Sequence, residues 1–392
     1  MLNETALKLG TARSVIRELF EYGNTRAKVV GRENIFDFSL GNPSIPAPAE
    51  VNAAICAILK EESPLAVHGY TSAGGDPMVK AAIAEDLNRR FQANATAQDL
   101  FLGCGAAPEL TAVLKAFSAG EIIVIAPYFP EYKPFAESAG HRFKIVAAAA
   151  PDFRLPVAEI KQALTANTRA IIINSPNNPT GTVYTREELT ALSQVLTEKT
   201  AEFGHPVYII ADEPYRELTY DGVKTPFIPG VYNNTVVCYS YSKSLSLPGE
   251  RIGYIYVPAQ ATDSKNLYAA IAGAARSMGH VCAPSLMQKV IGRCTHLRPD
   301  LASYDKNRKA LYEGLTQMGY RVVKPEGAFY LFVEAPRGDG VAFCEKAKQL
   351  DVLVVPGEGF GCPGYVRLCY CVSYDTIMRS LPLFERLKDV RF

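Results

Sequence analysis

The chain carries almost no net charge. Its 41 basic and 40 acidic residues leave a formal +1, and neither sign gathers into a run. Without a basic stripe there is no electrostatic footprint for nucleic acid, and without a polybasic cluster none for an anionic membrane surface. Long apolar runs are missing as well: no stretch approaches the roughly 18 residues that span a bilayer. The opening segment, "MLNETALKLGTARSVIRELFEYG", lacks the apolar core of a secretory signal and reads as polar coil leading into an amphipathic helix. Nine cysteines occur without the even, close spacing of a disulfide framework. Cys369 and Cys371 alternate with Leu368, Tyr370 and Val372, and no histidine stands nearby to complete a metal site. They read as buried thiols of a protein in the reducing cytoplasm. No repeat or low-complexity linker interrupts the chain. No GxGxxG stands at a first strand exit, which disfavours a nicotinamide dehydrogenase. Any ligand must be held by local constellations.

What is present is ordinary globular material, 48% hydrophobic and 21% charged over 392 residues. That length exceeds one compact core, so a large and a small unit are expected. From about Pro48 to Val257, helix-length segments alternate with brief apolar runs: "EIIVIA", "RAIIINS", "VYIIAD", "TVVCYS" and "RIGYIYV". Runs without alternation suit strands buried on both faces, hence a mostly parallel sheet covered by helices. After about Pro284 longer helices (Pro299 to Met318, Val341 to Gln349, Asp375 to Lys388) surround the strand candidates "AFYLFVEA", "VLVV" and "YVRLCYC". This predicts an α/β unit over 48–283 and a smaller α+β unit from 284–392, joined by the N-terminal 1–47, which has no strand partner of its own.

In an open α/β sheet, ligands sit beyond the carboxyl ends of the strands. "RAIIINS" exits into "PNNPTG", "VYIIAD" into "EPY", "TVVCYS" into "YSKS", and "LFLGCG" into the helix start "AAPELTAVL". These exits present Asn178, Asp212, Tyr215, Ser240, Lys243 and the amides near Gly105. Singly, each has a plain explanation: Asn178 as a turn former, Asp212 as a helix N-cap, Lys243 as a solvated loop lysine. Their joint placement at sheet exits is what those explanations leave out. Arg367 sits in a strand pattern between Val366 and Leu368 on the opposite face. A charge inside a buried strand is costly unless paired; the plain alternative is an exposed edge strand.

With "SPNNPTG", "ADEPY", "SYSK" followed eight residues later by an arginine, "VVPGEGFG" and "YVRLCY", the chain resembles the class I/II aminotransferases over nearly its whole length. These are pyridoxal-phosphate (PLP) enzymes of the aspartate aminotransferase fold, fold type I. The resemblance implies that Lys243 is the lysine joined to the cofactor and that it later moves the substrate's α-proton as general acid and base, with Arg251 helping to lower its pKa. It implies that Asp212 pairs with the pyridine nitrogen, and that Asn178 and Tyr215 hydrogen-bond the ring oxygen. Gly105, Ala106 and Ala107 would offer backbone amides to the phosphate at a helix N-terminus, with Ser240 and Arg251 completing the cup. The two alanines lack hydroxyls, which shifts weight to Ser240 and Arg251. The chain has no tryptophan, so Phe129 is the expected ring-stacking aromatic, ahead of Tyr128. Tyr70 matches a tyrosine that reaches a partner's phosphate, implying a homodimer with shared active sites. Arg367 would grip the substrate α-carboxylate, with Gly41 and Asn42 closing over it.

The implied activity is exchange of an amino group between an α-amino acid and a 2-oxo acid, with no metal. A carbon–sulfur β-lyase of the same fold remains an alternative, since both begin with loss of the same α-proton. A non-catalytic PLP-fold effector-binding protein is disfavoured: no helix-turn-helix or basic N-terminal module is present, and Lys243 is retained. No second arginine is assigned to a side-chain carboxylate, which leaves the amino acid open.

Overall fold

The structure is a computed structural model and describes residues 1–11 and 14–388. Twelve strands are seen among them. The first six are β1 (Phe36–Asp37), β2 (Leu100–Gly103), β3 (Glu121–Ala126), β4 (Arg142–Ala147), β5 (Thr168–Asn174) and β6 (Tyr208–Asp212). The rest are β7 (Thr235–Ser240), β8 (Gly253–Tyr256), β9 (Tyr330–Glu334), β10 (Val352–Leu353), β11 (Val355–Pro356) and β12 (Tyr365–Cys369). Seven of them form one sheet in the order β2-β8-β7-β6-β5-β3-β4. Pairing is parallel throughout except at β8, which runs against both β7 and β2.

The expected burial on both faces holds for the central strands, and their residues divide cleanly. Ile123, Ile171, Ile173 and Ile209 join a core with the helices Ala49–Glu61, Pro77–Phe91 and Arg186–Phe203. Ile122, Val124, Ile172 and Ile210 face the other way, onto Ala106–Ala116 and Ser264–Ser277. Period-two geometry makes this division, and fully burying each such side chain stabilises by about 1.5–3 kcal/mol. The helices are locally specified too. Thr185 and Glu188 form a capping box at the start of Arg186–Phe203, and left-handed Gly204 ends it.

The second core gathers Phe38, Phe329, Leu331, Val366 and Leu368 under the helices Leu301–Gln317 and Tyr374–Lys388. Its sheet has the antiparallel order β11-β12-β9, while β1 pairs in parallel with β10, so the N-terminal segment finds its strand partner here. Several sequence expectations need correction. The helix Ser285–Cys294, assigned to the smaller unit, sends Val290 and Ile291 into the same core as Val51, Ile58 and Ile83. The boundary is better drawn after that helix. "VLVV" is not one strand but two short ones in different sheets. "RFKIVA" forms β4, missed because it is an edge strand with largely exposed residues rather than a buried run. The N-terminal "polar coil" contains the exposed helix Glu4–Thr11.

Candidate active site

Chain reversals converge at the carboxyl edge of the parallel strands. β7 ends at Ser240 and turns at once into Tyr241–Ser244, which carries Lys243. β6 ends on Asp212 and runs on to Tyr215, β5 leads to Asn178, β3 to Phe129, and β2 to Gly105. β8 is antiparallel, so its beginning lies at this same edge, and that reversal delivers Arg251. The cleft has a volume of about 370 Å³, and its wall includes Lys243, Asp212, Tyr215, Arg251, Asn178 and Arg367. Ser240, Phe129, Ala106, Ala107 and Gly41 line it as well. A larger hollow of about 780 Å³ beside Phe91 and Phe227 shares no residue with this wall.

Lys243 Nζ donates to the Gly41 carbonyl at 2.5 Å and stands 5.4 Å from the centre of the Phe329 ring. Burial of the ammonium is the main cause holding its pKa below the ordinary lysine value. The Cys371 and Cys369 thiols oppose this, while Arg367 and Arg251 add to it. Arg251 is therefore a lesser cause than the sequence suggested; desolvation leads.

Asp212 is 5% exposed. The Tyr132 hydroxyl donates to its Oδ2, and Asn174 Nδ2 donates to its backbone oxygen at 2.9 Å. Its Oδ1 is buried without a partner. Burial pushes the carboxyl up to about 7, with the Tyr132 bond pulling down and Glu213 pushing up. A positively charged hydrogen-bond donor at Oδ1 would return it to the ionised state.

Gly105 caps the helix Ala106–Ala116 with φ +89, and a Cβ added there would lie 2.8 Å from Arg251 Nη2. A side chain would fill that space, which leaves the helix N-terminus open beside a guanidinium. Ser240 Oγ lies 2.7 Å from Ser242 Oγ.

Arg367 is 2% exposed. β12 is the central strand of its sheet, paired with β9 and β11, which removes the edge-strand explanation. Its Nη1 donates to Asn178 Oδ1 at 3.1 Å and its Nη2 to the Ser39 carbonyl at 2.5 Å. The guanidinium packs on Tyr330 and Phe360, and Nε has no partner. No carboxylate of the described residues pairs with it.

Other expected residues sort themselves. Tyr128 is buried against Phe143 and outside the cleft wall, whereas Phe129 lines it. The Tyr215 hydroxyl lies 2.7 Å from that of Tyr330. Asn42, expected over the carboxylate, is exposed and outside the cleft wall, its N–H turned back to the Leu40 carbonyl. Tyr70 is 86% exposed and also outside the wall. Sequence reasoning missed Tyr132, Asn174, Tyr330 and Glu131. Asn174 was findable, being a polar residue that closes an apolar strand just as Asp212 does. Tyr132 was not, because only folding sets it against Asp212.

Fold and cleft together describe an α/β protein whose candidate site lies at the carboxyl edge of one mixed sheet. The sequence profile of the family Aminotransferase class I and II matches residues 33–381. An aspartate aminotransferase of Geobacillus stearothermophilus is 30% identical over 385 residues, 93% of each chain. A probable N-acetyl-LL-diaminopimelate aminotransferase of Bacillus subtilis is 29% identical, over 91% of this chain and 90% of its own. The crystal structure of an amino transferase from Eubacterium rectale superposes with a TM-score of 0.96 at 52% identity, covering 99% of this chain and 98% of that one. The chain belongs to the class I and II aminotransferases, a family generally dependent on PLP, and is an amino-group-transferring enzyme. No helix among the described residues is long and apolar enough to cross a membrane.

Proposed function

We propose that this cleft holds PLP and exchanges the amino group between an α-amino acid and a 2-oxo acid. The observation that carries the substrate half is Arg367, a buried guanidinium with no carboxylate partner among the described residues, lining the same cleft as Lys243. A buried charge without a counter-ion is costly, and a substrate α-carboxylate would supply one.

The residues suit the cofactor. Asp212 offers its unpartnered Oδ1 to the ring nitrogen, and Asn178 and Tyr215 stand on the same wall for the ring oxygen. The Gly105–Ala107 amides, Ser240 and Arg251 would hold the phosphate, and Phe129 would cover the ring. Bound there, PLP supplies the carbon that accepts the amino group and a protonated ring that takes up the electron pair of the substrate's α carbon. Asp212 keeps that ring nitrogen protonated. Lys243 Nζ, whose pKa burial lowers, would take the α-proton and hold it for return on the same face. Arg367 and Asn178 fix the carboxylate so that the α-proton faces the lysine.

The test is amino exchange between a panel of α-amino acids and 2-oxoglutarate or pyruvate, without pyruvate release from cystathionine. Arg367→Lys should lower kcat/KM about ten- to hundredfold for every α-amino acid accepted, because an ammonium cannot reproduce a two-bond planar fork. PLP content should not change. A loss confined to acidic amino acids would assign Arg367 to the side chain instead.

We extend the reading to a cytoplasmic homodimer in which Tyr70 completes the partner's phosphate site. Tyr70 stands 86% exposed with Leu65 at 87% and Met78 at 79%, apolar surface that a partner would cover. Sedimentation at micromolar concentration should give twice the chain mass. A monomer retaining full activity would remove the shared-site reading.

A further inference from the structure

The wall of the cleft contains a second carboxylate, that of Glu131. It differs from Asp212 in every respect that matters for binding. Asp212 is buried and already accepts from Tyr132, whereas Glu131 is half-buried and its carboxylate has neither a hydrogen bond nor an ion pair among the described residues. The chain holds it firmly in place all the same. Phe129, two residues before, lines the cleft, and Tyr132, the next residue, is 2% exposed and anchored on Asp212. Glu131 thus brings to the cleft wall a carboxylate with no partner among the described residues, on a turn whose next residue is anchored.

Ile16, Leu40, Leu110, Phe129 and Pro214 share the wall with Glu131. Every cation that lines the cleft among the described residues, namely Lys243, Arg251 and Arg367, already has a task in the proposed function. A substrate side chain therefore meets methylene and ring surface along its stem and one unpaired negative charge. An aliphatic chain ending in an ammonium matches both features, since its methylenes lie on apolar surface while its charged tip finds a counter-ion. A side chain ending in a carboxylate meets repulsion there and no free cation.

Resting on the reading of this cleft as an amino acid site, we infer that Glu131 is the specificity-determining residue that selects amino acids with a distal ammonium and turns away those with a distal carboxylate. Such a pair is partly solvated, so its worth falls between that of an exposed ion pair and that of a buried one, about a tenfold preference over an uncharged chain of the same length.

The experiment uses the PLP-loaded enzyme and donors that differ at the tip: lysine and ornithine with the ammonium, norleucine with lysine's stem and no charge, glutamate and aspartate with the carboxylate. Wild type should favour lysine or ornithine over norleucine by about tenfold in kcat/KM, with the acidic donors lowest. Glu131→Gln, equal in size but neutral, should erase the preference for the ammonium and raise the acidic donors, leaving norleucine within about threefold. Glu131→Asp keeps the charge and should keep the order. A binding readout independent of turnover is calorimetry with 6-aminohexanoate and hexanoate, which carry the carboxylate and stem but no α-amine. The first should bind about tenfold tighter to wild type and no tighter to Glu131→Gln. Norleucine or aspartate equalling lysine in wild type, or a Gln variant with an unchanged order, overturns the inference while amino transfer stands. No α-amino acid accepted at all would overturn the proposed function, and this inference with it.

Discussion

Replacing Lys243 by alanine should abolish steady-state amino transfer, lowering kcat by about 10⁴-fold, the upper end of what a positioned proton-transfer group contributes. The reasons lie in its surroundings. Its ammonium donates to the Gly41 carbonyl and lies over the Phe329 ring, and burial holds its pKa below the ordinary lysine value. Water admitted in its place is a far weaker base and is not held over the α carbon. Two measurements separate this role from a structural one. Borohydride reduction and peptide mapping of the wild-type protein should place the pyridoxyl group on Lys243, and the alanine variant should take up none. Small primary amines added to the variant should restore part of the activity, since the cavity left is the size of the missing side chain. A label on any other lysine, or a variant within tenfold of wild type, would remove Lys243 from the reaction.

Asp212→Asn should lower turnover by about 10²- to 10⁴-fold while PLP still binds. Breaking a buried charge pair by neutralising one partner costs about 3–5 kcal/mol, and each 1.36 kcal/mol is tenfold. The amide preserves shape and can still accept from Tyr132, but has no charge with which to keep a ring nitrogen protonated. Cofactor retention rests on the phosphate cup at Gly105, Ser240 and Arg251, which is untouched. The cofactor-free protein offers a second readout. Asp212 titrates near 7 in the folded chain, chiefly through burial, against about 3.9 in an unfolded one. The folded state thus binds the proton more tightly, so the stability contributed is full below about pH 4 and is lost as pH rises to about 7. The slope is about 1.4 kcal/mol per pH unit. Urea unfolding of apo wild type relative to apo Asp212→Asn should therefore show a shrinking difference from pH 5 to 7 and a level one above. Normal single turnover in the variant would sink the electron-sink role; a pH-independent difference would sink the buried-acid account.

Much of the architecture was legible because it is written in short-range pattern. Unalternated runs such as "EIIVIA" and "RAIIINS" can only be satisfied by apolar cover on both faces, and that is how β3 and β5 are built. β4 escaped for the complementary reason: an edge strand with charged, exposed residues looks like a surface loop until its neighbour is known. The helix Ser285–Cys294 was assigned to the wrong side because chain position says nothing about which core receives Val290 and Ile291.

The sequence by itself determined which residues leave the strand ends, Asn178, Asp212, Ser240 and Lys243, and the eight-residue spacing from Lys243 to Arg251. Those are properties of the local chain, where strand period and turn chemistry act over a few residues. Only the tertiary structure decided that Tyr132 holds Asp212 from 80 residues away, and that Arg367 reaches Ser39 across 328 residues. It also decided that Arg367 lies buried in mid-sheet with no carboxylate partner among the described residues, that Asn42 is exposed, and that Glu131 shares a wall with Ile16 and Leu40. Contacts of that range depend on how finished elements dock, and docking is governed by the apolar surface each element buries, which no window of the chain encodes for another.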